Sequence, residues 1–278
     1  MNYQWYPGHM TKAKRMMEEN IKLIDLVIEI VDASRNPDID SLAVNKARII
    51  LLNKSDLADD KITNQWINYF NENNIYCLKL NSRNNSGIKQ VNGLIMTACA
   101  DKIERNKQRG ILNRPIRAMV VGIPNVGKST FINSYAGKAS AKTGNKPGVT
   151  KGKQWIKLNK NVELLDTPGI LWPKFDNQEV GKRLAMIGSM NDEILNVEEL
   201  AIDTIKYIYS EYSDNVIERY GLDKEKTAAS YDENAINPDN SVALYIMEQA
   251  AVKRGCIKKG NNIDYEKISN IMISEVDD

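Results

Sequence analysis

The stretch Gly122-Ile123-Pro124-Asn125-Val126-Gly127-Lys128-Ser129 meets the pattern G-x-x-x-x-G-K-[ST] at every fixed position. In such a loop successive backbone N–H groups face one anion, and the helix that follows adds the positive end of its dipole. Asn125, Val126, Gly127 and Thr130 would line that cradle, Lys128 would reach terminal phosphates, and the Ser129 hydroxyl would take one position on Mg²⁺. A second tetrad, Asp166-Thr167-Pro168-Gly169, has the form DxxG. In that form the Asp holds Mg²⁺ through its water shell and the Gly N–H senses a γ-phosphate. Thr150 is the candidate for a threonine that closes on the metal, with Thr143 as the alternative. A third tetrad, Asn53-Lys54-Ser55-Asp56, fits NKxD. Its carboxylate, Asp56, could accept from both the ring N–H and the exocyclic amine of guanine. Adenine offers no such pair and would leave a buried acceptor unsatisfied. Ser82 and Arg83, in Asn81-Ser82-Arg83, are candidates to touch the base from its other side.

These groups need elements to hold them. The apolar, β-branched run 116–121 predicts a strand leading into the phosphate loop, and 130–135 predicts the start of a helix after it. Strands are expected at 26–31, 47–52, 75–80, 155–158 and 162–165, the last two joined by an Asn-Lys-Asn turn. Helices are expected over 10–24, over 62–73 with Ile62, Trp66, Tyr69 and Phe70 on one face, and from Ser86-Gly87 through 101–109 to a break near Gly110. Strands alternating with helices mean a mainly parallel sheet with helices on both faces, the α/β class. Beyond about 178 the strand signal stops. Helices are expected at 179–189, 197–212, 240–254 and 264–275, so the chain reads as domains 1–178 and 179–278, the second small and all-α.

The 278 residues are 42% hydrophobic and 27% charged, ordinary values for a globular chain. Cys77, Cys99 and Cys256 are odd in number and lack metal-ligand spacing, which predicts core cysteines of a reducing compartment. No basic start leads into an apolar run, and no stretch nears the ~20 apolar residues of a membrane span, so a cytoplasmic protein with no membrane partner is expected. The net charge of +2 hides an asymmetry: residues 137–161 hold seven lysines and no acid, whereas 191–218 are rich in Asp and Glu. A lysine block beside a nucleotide site suggests either a polyanionic partner or a solvated loop.

The order of the motifs is rotated. NKxD comes first, then the phosphate loop, then DxxG, whereas an ordinary GTPase has NKxD after the other two. Circular permutation of a P-loop GTPase domain produces this order, and a compact α/β domain tolerates it. The rotation, the tetrad Pro7-Gly8-His9-Met10, the run DTPGILWPKF at 166–175, Lys253-Arg254-Gly255-Cys256 and Asp264-Tyr265 together resemble the ribosome biogenesis GTPase A family of YlqF-type permuted GTPases. One departure is a shorter loop between Asp32-Ala33 and Arg35-Asn36-Pro37 than the family usually has.

The resemblance covers essentially the whole chain. It implies Mg²⁺-dependent hydrolysis of GTP to GDP, a role in late assembly of the large ribosomal subunit, and binding to the subunit precursor and its rRNA, with help from the C-terminal helices. Lysines of 137–161 with Lys253, Arg254, Lys258 and Lys259 are the cations expected to meet that RNA. Ile170 stands where many GTPases place a water-orienting Gln, and the resemblance gives that role to His9, the only histidine. His9, Lys128 and Gly169 are thus the expected catalytic set, and Asp166, Ser129 and Thr150 the metal set. Asn125 resembles an asparagine that seats K⁺ in related GTPases. A monomer is expected. The alternative reading is an RNA-binding module switched by GTP with negligible turnover.

Overall fold

Leu26, Val27, Ile28, Ile30 and Val31 form an apolar run interrupted by one charge, Glu29, and the run becomes the middle of the sheet. The computed structural model describes residues 15, 19–33, 46–112, 114–137, 154–157, 161–166, 178–186, 189 and 196–277. Six strands, β1 (Leu26–Asp32), β2 (Ala47–Asn53), β3 (Tyr76–Lys79), β4 (Ile116–Val121), β5 (Gln154–Lys157) and β6 (Val162–Asp166), lie in the order β3-β2-β1-β4-β6-β5. All neighbours pair parallel except β5 with β6. Every residue of β1 is buried. A strand covered on both faces reads as a near-continuous apolar run, as this one does.

Helices follow from caps and stripes. Asp59 caps α1 (Asp60–Glu72) by accepting from the N–H groups of Lys61 and Ile62. The stripe expected on α1 is only partly inward: Phe70 is buried and Trp66 half-buried, but Ile62 and Tyr69 are exposed. The cluster beneath α1, formed by Val31, Ile50, Leu52 and Cys77, is narrower than the stripe. The single helix expected from 86 to 109 is two, α2 (Ile88–Ala98) and α3 (Ala100–Gln108), with the backbone turning at Cys99 (φ −106°, ψ 11°). The cause is a change of pattern, since α2 buries Ile88, Val91 and Ile95 whereas α3 buries only Asn106. On the same sheet face α4 (Lys128–Ala136) buries Phe131 and Ile132. Of the helix expected over 10–24, Arg15, Glu19 and Asn20 are described as helical and Ile21–Leu23 as a 3₁₀ turn; the rest lies outside the described residues.

The described residues fall into two compact units, one running through β6 and the other beginning with α5 (Gln178–Met186). The second continues with α6 (Val197–Glu211), α7 (Ser213–Tyr220), α8 (Lys224–Ala228), α9 (Ser241–Arg254) and α10 (Tyr265–Asp277). Ala201, Ile205, Ile246, Met247, Ala250, Ile268 and Met272 fill its core. The short α7 and α8, and a two-residue ladder of β7 (Ile257–Lys258) with β8 (Asn262–Ile263), are additions that the sequence pattern did not announce. No helix among the described residues is long and apolar enough to cross a membrane. Cys77, Cys99 and Cys256 are free and buried, and burial pushes the first two thiols up to about 12 and about 11.

On the α1 side of the sheet one ion pair divides the apolar surface. Arg48 of β2 donates from Nη2 (2.7 Å) and Nε (3.0 Å) to Oε2 of Glu29, whose side chain is 1% exposed. Val27, Met119, Val121 and Leu165 cluster separately from Val31, Ile50, Leu52 and Phe70. Removing one partner strands a buried charge, whereas replacing both with apolar groups is often neutral. Arg48→Met is therefore expected to cost about 3 kcal/mol, and Glu29→Leu/Arg48→Met to recover most of it. Urea unfolding checks this; equal losses in the single and double variants would contradict it.

Candidate functional site

A parallel sheet gathers the loops after its strands at one edge, and a ligand site is expected there. Here the loops after β1, β2, β3, β4 and β6 carry Asp32, Asn53–Asp56, Asn81–Arg83, Gly122–Ser129 and the end of β6 at Asp166. Motifs far apart in the chain thus share one end of the sheet.

The phosphate loop takes backbone conformations that few residues allow. Gly122 has φ 153°, Asn125 φ 63° and Gly127 φ 88°. A Cβ on Gly122 would collide with the Ile30 carbonyl oxygen, and one on Gly127 with the Asn53 amide nitrogen. Glycine is required at both positions by contact as well as by dihedral. Lys128 opens α4, is 8% exposed, and donates from Nζ to the Ile123 carbonyl at 2.7 Å, so its ammonium lies over its own loop. Ser129 and Thr130 occupy the first turn of α4, half-buried. The Ser129 hydroxyl has no hydrogen bond with the described residues. Val126 is fully buried in the core, which fixes the loop from below.

Asn53 joins the loops. Its Nδ2 donates to the Val126 carbonyl at 2.8 Å, and its Oδ1 accepts from the Ser82 N–H at 3.0 Å and the Ser82 hydroxyl at 2.9 Å. All of this is buried, so each bond replaces water that cannot enter. Ser134 of α4 then donates to the Ser82 carbonyl at 2.5 Å. Sequence reasoning placed Asn53 in the NKxD motif and Ser82 as a candidate to touch the base, and did not foresee that their polar groups meet each other. It missed Ser134 altogether, because one serine on a helix gives no sequence signal. It also missed the role of Asp32, which is 4% exposed and pairs through Oδ2 with Lys54 Nζ at 3.1 Å.

Lys54 has φ 55°; the other four positive-φ non-glycine residues among those described are asparagines. A lysine held there marks a constrained turn, closed by the Leu57 N–H on the Lys54 carbonyl at 3.0 Å. That turn presents Asp56, exposed and with no hydrogen bond or ion pair to the described residues. Arg83 is also exposed, its backbone N–H held by the Asn81 side chain at 2.8 Å. An open carboxylate on a turn tied to the phosphate loop through Asn53 can accept a pair of N–H donors from a base.

His9, Thr150 and Gly169 lie outside the described residues, and of Asp166 only the backbone, ending β6 beside β4, is described. The oxygen donors Ser129 and Asp166 suit Mg²⁺, which takes few protein ligands and completes its shell with water and phosphate. Among the described residues no cluster of three or more His, Cys, Asp or Glu could hold a metal.

Residues 117–232 match the family model described as 50S ribosome-binding GTPase. Ribosome biogenesis GTPase A of Priestia megaterium is 44% identical over 282 residues, covering 99% of this chain and 93% of that one. Its namesake in Thermotoga maritima is 31% identical, covering 98% and 89%. GNP-bound YlqF from T. maritima has a similar structure, with a TM-score of 0.58 at 25% identity over 96% of this chain and 93% of that one.

If the Asn53 amide holds the site together, Asn53→Ala should weaken GDP and GTP alike by about 2–3 kcal/mol, roughly 30- to 150-fold in Kd. Asn53→Asp should not rescue, since the Val126 carbonyl loses its donor. Titration with a fluescent nucleotide analogue checks both; a change below threefold would show the bridge to be dispensable.

Proposed function

The chain belongs to the ribosome biogenesis GTPase A family and is a GTPase, and from that premise we propose that it serves assembly of the large ribosomal subunit, binding the precursor and its rRNA with GTP and leaving after hydrolysis. The observation that carries the nucleotide half is the Asn53 bridge, which ties the turn bearing the unpaired Asp56 carboxylate to the phosphate loop. Asp56 reads guanine, with Lys54 lying along the base and Ser82–Arg83 closing its far side. Lys128 leaves the Ile123 carbonyl for the terminal phosphates. Ser129, Asp166 and Thr150 hold Mg²⁺, which on binding would neutralise charge on the β- and γ-phosphates. Asn125 is the seat for K⁺. Gly169 senses the γ-phosphate, and His9 orients the attacking water that Ile170 cannot hold. Residues 1–178 form the catalytic domain and 179–278 the helical one that helps grip RNA in the cytoplasm, where the protein works as a monomer.

Three of the four C-terminal cations are held by neighbours in the helical unit. Lys253 donates to the Tyr220 carbonyl at 2.9 Å and to that of Gly221, Arg254 pairs with Glu275 at 2.7 Å, and Lys258 pairs with Asp264 at 3.2 Å. Among the described residues only Lys259 of the four is left without a partner. Most RNA charge on this account falls to the lysines of 137–161, of which 138–153 and 158–160 lie outside the described residues.

Two substitutions test the reading. Asp56→Asn should weaken GTP by about 2–5 kcal/mol and gain affinity for xanthosine triphosphate, measured by calorimetry. Unchanged GTP affinity would remove Asp56 from the base site. His9→Ala should leave nucleotide affinity alone and lower single-turnover hydrolysis, with large subunits present, by roughly 10²–10⁴-fold. Stimulated turnover that survives within about twofold, below the general acid–base range, would assign the water to another group. Wild-type protein that binds subunits but releases no phosphate over many turnovers would favour the switched RNA-binding module instead.

A further inference from the structure

The phosphate loop leaves the carboxyl end of β4; at its amino end the surface is basic. From Lys102 to Arg117, sixteen residues hold six Lys or Arg against one acid, Glu104. The strand between the two poles runs from Ile116 to Val121, roughly 16–20 Å at the usual rise of a strand. None of these six cations belongs to the nucleotide site.

One carboxylate arranges them. The Asp25 side chain is 5% exposed and lies 3.4 Å from Lys102 Nζ and 3.6 Å from Arg114 Nη2, while accepting from the Arg117 N–H at 3.2 Å. Its charge ties α3, residue 114 and the start of β4 together, and the Arg117 side chain pairs with Glu163 at 3.4 Å. The others face water. Arg105 bonds only a carbonyl of its own helix (Asp101, 3.2 Å), and Lys107 meets Glu104 at 3.9 Å with both side chains 59% exposed, too loosely to cancel charge. Arg109 is exposed and has no side-chain partner among the described residues.

The turn after α3 is fixed as well. Gly110 and Ile111 donate to the carbonyls of Lys107 and Asn106, each at 2.9 Å, which closes the helix end as a Schellman motif. The apolar residue that normally folds back onto the helix in this motif instead points out: Ile111 is 43% exposed and Leu112 75%. A merely solvated face mixes both charge signs and hides its apolar groups. This one presents an ordered apolar tip among cations that are mostly arginines, whose planar forks match phosphate oxygens.

We propose that this pole is a second RNA-binding surface, at which Arg105, Lys107 and Arg109 grip phosphates and Ile111 with Leu112 rests against exposed sugars or bases, in either nucleotide state. Independence from the nucleotide follows from position, since the surface lies across the sheet from every loop expected to sense phosphate. The inference rests on the reading of this chain as a ribosome-assembly GTPase.

The test uses the full chain with the substitutions Arg105→Gln/Lys107→Gln/Arg109→Gln. Its binding to deproteinised large-subunit rRNA is followed by anisotropy across a salt series, with GDP and with a non-hydrolysable GTP analogue. Three lost contacts at about 0.7 each should make the slope of log K on log salt shallower by about 2 in both nucleotide states, with GDP affinity unchanged. Should the triple variant fold poorly, Arg109→Gln alone should lower the slope by about 0.7. Leu112→Ser should weaken binding without changing the slope. Wild-type binding whose slope the triple variant leaves alone, or alters with only one nucleotide, overturns this surface and leaves the assembly reading standing. Wild-type protein with no affinity for rRNA overturns both. Binding to phosphatidylglycerol–phosphatidylcholine vesicles that is lost in the triple variant, with the RNA slope unchanged, would assign the pole to lipid and refute the proposal.

Discussion

One primary amide sets the geometry on which the site depends. The Asn53 side chain offers donors on one side and an acceptor on the other, and it meets a carbonyl of the phosphate loop on one side and the N–H and hydroxyl of Ser82 on the other. A carboxylate or an apolar group cannot supply both halves, and a hydroxyl, though it donates and accepts, does so from one oxygen rather than from two separated atoms. The loops that it joins follow three different strands, with Val126 73 positions and Ser82 29 positions beyond Asn53 in the chain. The glycine at 127 is the other half of that constraint, because the asparagine amide fills the space where a Cβ would project. The Ser134 hydroxyl closes the arrangement by fixing Ser82 to the helix that carries Lys128 and Ser129.

Rotation of the motif order leaves this geometry intact, because a parallel sheet places the ends of its strands together whatever the order in which the chain visits them. What rotation changes is connectivity. After β6 the chain runs through the tetrad Asp166–Gly169 toward the helical unit, so the tetrad proposed to sense the γ-phosphate is also in the covalent lead into that unit. In an unrotated GTPase the same tetrad leads back into the nucleotide domain.

The parts legible in the sequence were those written locally. The loop Gly122–Ser129, the strands beside it and the turn at Asn53–Asp56 follow from residue types within a few positions of one another. The strand limits fall within a residue or so of the apolar runs, because a strand buried on both faces leaves little freedom in its pattern. What could not be read depends on partners distant in the chain. The bonds of Asn53 to Val126 and Ser82, and those of Lys253, Arg254 and Lys258 to Tyr220, Glu275 and Asp264, leave no local mark in the sequence. The break at Cys99 was hidden for another reason, since the backbone bonds on either side, Cys99 to Ile95 and Ile103 to Cys99, keep helical spacing while the buried face changes.

The pairing of β1 with β4 has a consequence for the nascent chain. Strand β2, on one side of β1, is synthesised soon after it, but β4, on the other, begins only at Ile116, some ninety residues later. Until then the run Leu26–Asp32 is a bare strand edge, apolar and open to pairing with any other extended chain. Glu29 is the charge in the middle of that run, and a charge carried inward on an open edge discourages pairing with strangers. Its acid is neutralised by Arg48 of β2, a residue made before the edge is closed, so the gatekeeper is disarmed from within the chain's own earlier half.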